Sequence, residues 1–104
     1  MKLRKLIITT IAALLSLSAF AQTGGVKGLI LSRLDSKPLK DAKVTIYIGD
    51  ERKFVYTSED GRFEILGIDD GMYRLEVEAA DFLKTELNVK ISNGDVYDLM
   101  NVTI

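Results

Sequence analysis

From Val26 onward the apolar residues recur at every second position. In Lys43-Val44-Thr45-Ile46-Tyr47-Ile48, Val44, Ile46 and Ile48 share one face, and Lys43, Thr45 and Tyr47 take the other. Arg62-Phe63-Glu64-Ile65 alternates in the same way. Tyr73, Leu75 and Val77 alternate with Arg74, Glu76 and Glu78. Leu83, Leu87, Val89 and Ile91 share a parity, with Lys84, Glu86, Asn88 and Lys90 between them. A period of two sends successive side chains to opposite faces of an extended strand, so each run reads as a strand with one face in a core and one in water.

Turn residues separate these runs: Asp35-Ser36-Lys37-Pro38, Gly49-Asp50-Glu51, Ser58-Glu59-Asp60-Gly61, Asp69-Asp70-Gly71 and Ser92-Asn93-Gly94-Asp95. Asp-Gly and Asn-Gly supply the positive φ that tight turns require. Spacings of ~8–12 residues between turns predict a small antiparallel sandwich. Seven strands are expected, at about 26–33, 43–49, 53–57, 62–66, 72–79, 83–91 and 96–104, in an all-β, antiparallel Greek-key-type β-sandwich. No stretch reads as an amphipathic helix.

The expected core is Val26, Leu29, Leu31, Val44, Ile46, Ile48, Phe54, Phe63, Ile65, Tyr73, Leu75, Val77, Leu87, Val89 and Ile91. The first strand has two possible orientations, because Gly28 and Ile30 hold the parity opposite to Leu29 and Leu31. Gln22-Thr23-Gly24-Gly25 reads as a flexible lead-in.

The N-terminus follows different rules. Met1-Lys2-Leu3-Arg4-Lys5 is basic, Leu6 to Phe20 is apolar and uncharged, and Ala19-Phe20-Ala21 places small residues before Gln22. A basic start, an apolar run and an A-x-A site make up a secretory signal. The apolar run is shorter than the ~20 residues a spanning helix needs. Residues 1–21 are therefore expected to be a signal peptide cleaved between Ala21 and Gln22, leaving residues 22–104 as one exported domain. No cysteine follows the apolar run, which excludes a lipid-anchored lipoprotein.

Removing Lys2, Arg4 and Lys5 leaves eleven Lys and Arg against fifteen Asp and Glu, a net charge of −4 in place of the whole chain's −1. An acidic domain with interspersed signs lacks the basic stripe of a nucleic-acid binder. The chain has no Cys and no His. Disulfides, thiolate metal sites and thiol nucleophiles are excluded, as are the triads built on histidine.

Four segments then occur in a telling order. A strand opens at Gly28-Leu29-Ile30. Pro38-Leu39-Lys40-Asp41-Ala42-Lys43-Val44 follows, then Thr57-Ser58-Glu59-Asp60-Gly61-Arg62-Phe63, then Gly71-Met72-Tyr73-Arg74-Leu75-Glu76-Val77. Together they resemble the carboxypeptidase regulatory-like domain, whose pattern runs as a G-x-V-type strand, P-L-x-G/D-A-x-V, T-x-x-D-G-x-F and G-x-Y-x-L-x-V. The resemblance spans nearly all of residues 22–104 and implies a transthyretin-like (prealbumin-like) sandwich. It makes Pro38, Asp60, Gly61, Phe63, Gly71 and Tyr73 the structural motif residues. Such domains often follow a signal peptide at the N-terminus of TonB-dependent, SusC-like outer-membrane receptors of Bacteroidetes-type bacteria. The resemblance thus implies the periplasm or the outer membrane, and a protein partner in the cell envelope such as an outer-membrane receptor. No plug or barrel accompanies the domain here, so transport is not carried over. The chain is expected to be a stand-alone module or the N-terminal part of a longer protein. The apolar run Val96 to Ile104 is expected to be locked in a sheet or to continue beyond it.

Glu59, Asp60, Asp69, Asp70 and Asp81 fall in loops that would share one end of such a sandwich. Asp60, Asp69 and Asp70 are the candidate Ca²⁺ ligands, since hard cations take several carboxylate oxygens. No D-x-D-x-D-G loop is present, and solvated turn residues capping hairpins are the preferred reading. The same carboxylates as a glycosidase pair would need a cleft with sugar-stacking aromatics, and there is no Trp. The transthyretin-like fold also hosts a hydrolase of 5-hydroxyisourate, which uses histidines and a C-terminal Tyr-Arg-Gly-Ser. This chain has no His and ends Asn101-Val102-Thr103-Ile104. Tyr47, Tyr56 and Tyr97 are candidates for a glycan-stacking surface, and Thr45 and Tyr47 mark a sheet face open to a partner.

The expected function is a non-enzymatic, cofactor-free interaction or structural module tied to a TonB-dependent receptor system. A carbohydrate-binding module and a secreted adhesin or pilin-like subunit are the alternatives.

Overall fold

A computed structural model describes residues 23–82 and 84–104. The expected signal peptide and its Ala21–Gln22 cleavage site lie outside the described residues, as does Leu83. Seven strands form: β1 (Gly24–Leu31), β2 (Lys43–Ile48), β3 (Glu51–Tyr56), β4 (Arg62–Ile68), β5 (Gly71–Glu78), β6 (Thr85–Ile91) and β7 (Val96–Thr103). They build a three-stranded sheet, β4-β1-β7, facing a four-stranded sheet, β3-β2-β5-β6. All pairings are antiparallel except β1–β7, which is parallel. This adds one parallel pair to the antiparallel sandwich expected. Among the described residues no helix is long and apolar enough to cross a membrane.

The core lies between the sheets. Val44, Ile46, Leu75, Val77, Val89 and Ile91 enter it from the four-stranded sheet, and Val26, Ile30, Phe63, Ile65, Ile68 and Val102 from the other. Each fully buried Val, Leu or Ile contributes about 1.5–3 kcal/mol of transfer free energy, so these residues dominate the stability of a domain without disulfides.

Ile30 is fully buried while Leu29 and Leu31 are only half-buried. The first strand thus takes the orientation that puts Gly28 and Ile30 inward. Gly28 pairs with Phe63, and the ring fills the space a Gly28 side chain would occupy. Gly24 and Gly25 are not a lead-in but the buried first residues of β1, closed over by the backbone of Asp95 and Ile65.

Two departures follow from register. Phe54, expected inside, is 51% exposed. The Gly49–Asp50 turn pairs Ile48 with Glu51, which places Phe54 opposite Thr45 on the outer face. Ile68, not expected in the core, is buried because Gly67, at φ +76°, bulges out of β4 and shifts the alternation by one. A bulge of this kind inserts a residue and bends the strand.

Candidate interaction surface

The family-pattern residues hold the fold together. Ile30 N–H donates to the Gly61 carbonyl at 2.8 Å, and Gly61, at φ +73°, packs on Pro38 and Leu39. Thr57 is buried. Its hydroxyl donates to the Leu39 carbonyl and accepts from Ala42 N–H at 2.9 Å. The Pro38–Ala42 segment and the Thr57–Gly61 turn are thus clamped to each other. Asp41 sits at φ +60°, which explains a pattern that allows Gly or Asp there, since both tolerate the left-handed region. Tyr73 lays its ring beside Gly71 and donates from its hydroxyl to the Asp69 carbonyl at 2.7 Å.

The carboxylates are not brought to one end. Asp60 precedes β4 and Asp69 follows it, so the whole strand separates them. Asp81 follows β5, at the end of that strand away from Asp70. Both Asp70 carboxylate oxygens accept backbone N–H groups at 3.0 Å, from Asn93 and Gly94, and so tie the β4–β5 turn to the β6–β7 turn. Among the described residues no three His, Cys, Asp or Glu side chains gather as a metal site. The tyrosines also separate: Tyr47 and Tyr56 share the four-stranded sheet, while Tyr97 lies on β7.

The chemistry-bearing face is the outer face of the four-stranded sheet. Register lays it out in rows: Tyr56, Lys43 and Glu78; Phe54, Thr45, Glu76 and Glu86; Arg52, Tyr47, Arg74 and Asn88; and Met72 beside Lys90. Glu76 points away from the core yet is only 7% exposed. Tyr47 Oη donates to Glu76 Oε2 at 2.7 Å, and Lys84 Nζ lies 3.1 Å from the same oxygen. Arg74 Nη2 is 3.9 Å from Oε1, and its guanidinium stands 4.3 Å over the Tyr47 ring centroid.

The Tyr47 hydrogen bond holds the Glu76 carboxyl below the ordinary carboxylate range; burial opposes this, and Lys84 and Arg74 reinforce it. The hydrogen bond to Glu76 and its charge raise Lys84 above the usual lysine value. Together they form a closed ionic cluster, with no buried side-chain polar atom left unpaired among the described residues.

Beside the cluster stand two exposed rings. Phe54 and Tyr56 (58% exposed) meet edge to face, with centroids 5.9 Å apart and planes at 81°. Lys43 Nζ lies 4.5 Å over the Phe54 ring. The sequence marks Thr45 and Tyr47 on an outward face and offers Tyr56 as a stacking ring, but it puts Phe54 in the core and does not single out Glu76, Arg52 or Arg74. The outward parity of Arg74 and Glu76 is legible, whereas the burial of Glu76 depends on Tyr47 and Lys84 closing over it, and Thr45 beside it is buried as well.

On the opposite side of the sandwich, a shallow depression is lined by Lys27, Leu29, Arg62, Glu64, Asp98 and Met100. Its two cations and two carboxylates balance.

No curated protein matches the chain by sequence. Among solved structures it is similar to the 5-hydroxyisourate hydrolase of Klebsiella pneumoniae, at 18% identity and TM-score 0.61, over 79% of this chain and 86% of that one. It is similar to the group B streptococcus pilus 2b backbone protein at 15% identity and TM-score 0.62, over 78% of this chain and 40% of that one. A chain of a type II cohesin–X-dockerin complex from Acetivibrio cellulolyticus aligns at 24% identity and TM-score 0.58, over 75% of this chain and 52% of that one. At these identities the likeness is one of fold, the transthyretin-like sandwich. The clamp of Pro38, Thr57 and Gly61 and the Gly71–Tyr73 contact belong to a sequence that matches the carboxypeptidase regulatory-like domain over residues 25–104, and the chain is a member of that family.

Proposed function

We propose that this chain is an exported, non-enzymatic binding module of the cell envelope, attached to a TonB-dependent outer-membrane receptor system. The observation that carries the reading is the outer face of the four-stranded sheet. There a buried, ion-paired Glu76 fixes Tyr47, Arg74 and Lys84 in place beside exposed Phe54 and Tyr56. Aromatic and arginine side chains held rigidly at a surface are the usual anchors of protein recognition. The absence of His and Cys from the sequence, and an interior filled with apolar side chains, support a binding role over catalysis. The basic-apolar-small order of residues 1–21 supports export, and the family resemblance supports the receptor connection.

The test is photo-crosslinking in cells from a benzophenone amino acid at Tyr56 of the full chain, detected with an antibody against the domain. The expected product is an adduct with a TonB-dependent receptor in the envelope fraction. Recovery of the chain from the cytoplasm would overturn the reading. A ladder of crosslinked copies would favour the pilin-like alternative. Retention on an immobilised neutral glycan, lost on Tyr56→Ala, would favour a carbohydrate-binding module.

A further inference from the structure

The charge of the domain is not spread evenly. On the outer face of the four-stranded sheet, five basic side chains stand against three carboxylates, Glu76, Glu78 and Glu86. Elsewhere in residues 23–104 the remaining six Lys and Arg stand against twelve Asp and Glu. A domain of net negative charge thus presents one net positive face. Glu76, the buried carboxylate of this face among the described residues, is already neutralised by Lys84 and Arg74. Among the described residues no carboxylate lies within ion-pair distance of Lys43 or Arg52, so these two charges remain free for an incoming anion.

The strand edges are less receptive. Lys53 of outer strand β3 shares the parity of Ile46, and its ammonium stands beside Gly67 of β4. A charge at an inward-pointing edge position blocks strand addition. β4 is interrupted by the Gly67 bulge. β7 is interrupted where Met100, at φ +62°, donates its N–H to Asp98 Oδ1 and the pairing with β1 slips. The other two outer strands, β3 and β6, keep an unbroken register, and of these β3 carries the inward-pointing Lys53.

We propose that the outer face of the four-stranded sheet docks an acidic segment of a partner protein, with Arg52 and Lys43 receiving its carboxylates and Phe54 and Tyr56 its apolar side chains. The inference rests on the reading of the chain as a binding module and names the chemistry of its partner. The ring geometry favours a peptide over a sugar. Phe54 and Tyr56 stand nearly perpendicular, and Lys43 covers one face of Phe54, so the two rings do not form a flat platform for a pyranose. An acidic peptide with interspersed leucines needs cations and ring edges, and both are present.

The experiment measures fluorescence anisotropy of a labelled Glu/Asp-rich peptide carrying interspersed Leu, against the full chain as the cell processes it. The expected result is binding that weakens about tenfold in Lys43→Glu/Arg52→Glu, as two reversed surface charges would give. Binding should also fall between about 0.05 and 0.5 M salt as screening sets in. Lys27→Glu/Arg62→Glu, which changes net charge equally on the other sheet, should bind as wild type does.

Several results would overturn the proposal: no binding, equal weakening in both double variants, or equal binding of the Gln/Asn counterpart peptide. So would preference for polygalacturonate over the peptide, or self-association of the chain at low salt that competes with it. Crosslinking from Tyr56 to a receptor that persists in Lys43→Glu/Arg52→Glu would keep the module reading and remove the acidic-segment chemistry from it.

Discussion

The Tyr47 hydroxyl reaches diagonally across the β2–β5 pairing to Glu76 Oε2, at 2.7 Å. In register Tyr47 lies opposite Arg74, and Glu76 lies opposite Thr45. Diagonal neighbours of this kind are within reach of long side chains. Lys84, from the β5–β6 loop, closes the carboxylate from the other side at 3.1 Å. A charged residue on the water-facing side of a sheet is thereby buried and fixed.

The fixing has a pH signature. Glu76 is held below its unfolded value, which is near pH ~4.3, so its contribution to stability is complete above that pH and is lost as pH falls through the folded value. Lys84 is raised above its unfolded value, near ~10.4, so its contribution is complete below that pH and is lost as pH rises through the folded value. Tyr47→Phe removes the largest influence holding Glu76 ionised. The acid limb of the melting-temperature profile should then move to higher pH, and the melting temperature near neutral pH should fall. Glu76→Gln should flatten that limb. Superimposable profiles for wild type and Tyr47→Phe would show that the hydrogen bond has no thermodynamic weight.

Gly61 and Gly49 separate two reasons for glycine in a turn. Both have positive φ, +73° and +59°. A Cβ on Gly49 would meet nothing within 4 Å, whereas one on Gly61 would stand 2.7 Å from the Ile30 carbonyl oxygen and 2.9 Å from Pro38. Gly49→Ala should therefore cost only the left-handed penalty, about 1–2 kcal/mol. Gly61→Ala should add the breaking of the clamp and cost more than about 3 kcal/mol, at the upper end of local backbone strain. Denaturant titration of the two variants decides it, and equal losses would count against the clamp.

The strands were legible because a half-buried strand writes its two faces into the sequence with period two. The placement of Phe54 was legible too, had the Gly49–Asp50 turn been used to set register. With Ile48 opposite Glu51, Ile46 must face Lys53 and Thr45 must face Phe54. Reading each strand alone put an exposed ring in the core. Ile68 was hidden by the bulge at Gly67, which breaks the very parity that identifies strands. The parallel β1–β7 pair joins segments far apart in the chain, and local pattern carries no information on that pairing. The burial of Glu76 escaped for the same reason, since it is made by side chains from β2 and from beyond β5.

Phe54 and Ile46 offer a direct comparison of face and core. Ile46 is fully buried, and Ile46→Ala should cost about 2–5 kcal/mol through lost transfer free energy and the cavity left behind. Phe54 is half-exposed and meets chiefly Tyr56 and Lys43. Phe54→Ser should cost clearly less than Ile46→Ala, because the ring already leaves half its surface in water and its removal opens no cavity between the sheets. Chemical denaturation of both variants provides the check. A loss for Phe54→Ser as large as for Ile46→Ala would mean that the ring is structural, and the outer face would lose its best evidence of being kept for a partner.

Asp70 is a candidate metal ligand in sequence, beside the preferred reading as a turn residue, and acts as a brace between two turns in the fold. Each of its two oxygens takes one backbone N–H, from Asn93 and Gly94, in a turn where both residues have positive φ, +59° and +67°. Both oxygens are thus committed to the turn, and a hard cation needs several further oxygens gathered around it, which the described residues do not bring together. Asp60, which would have to join them, is a full strand away. Adding Ca²⁺ or a chelator should therefore leave the melting temperature unchanged. Asp70→Ala should lower stability by about 1–3 kcal/mol through two lost charge-assisted bonds, largely independent of calcium. A melting temperature that rises with calcium in wild type but not in Asp70→Ala would restore the ligand reading, because only binding to the folded state shifts the equilibrium in that direction.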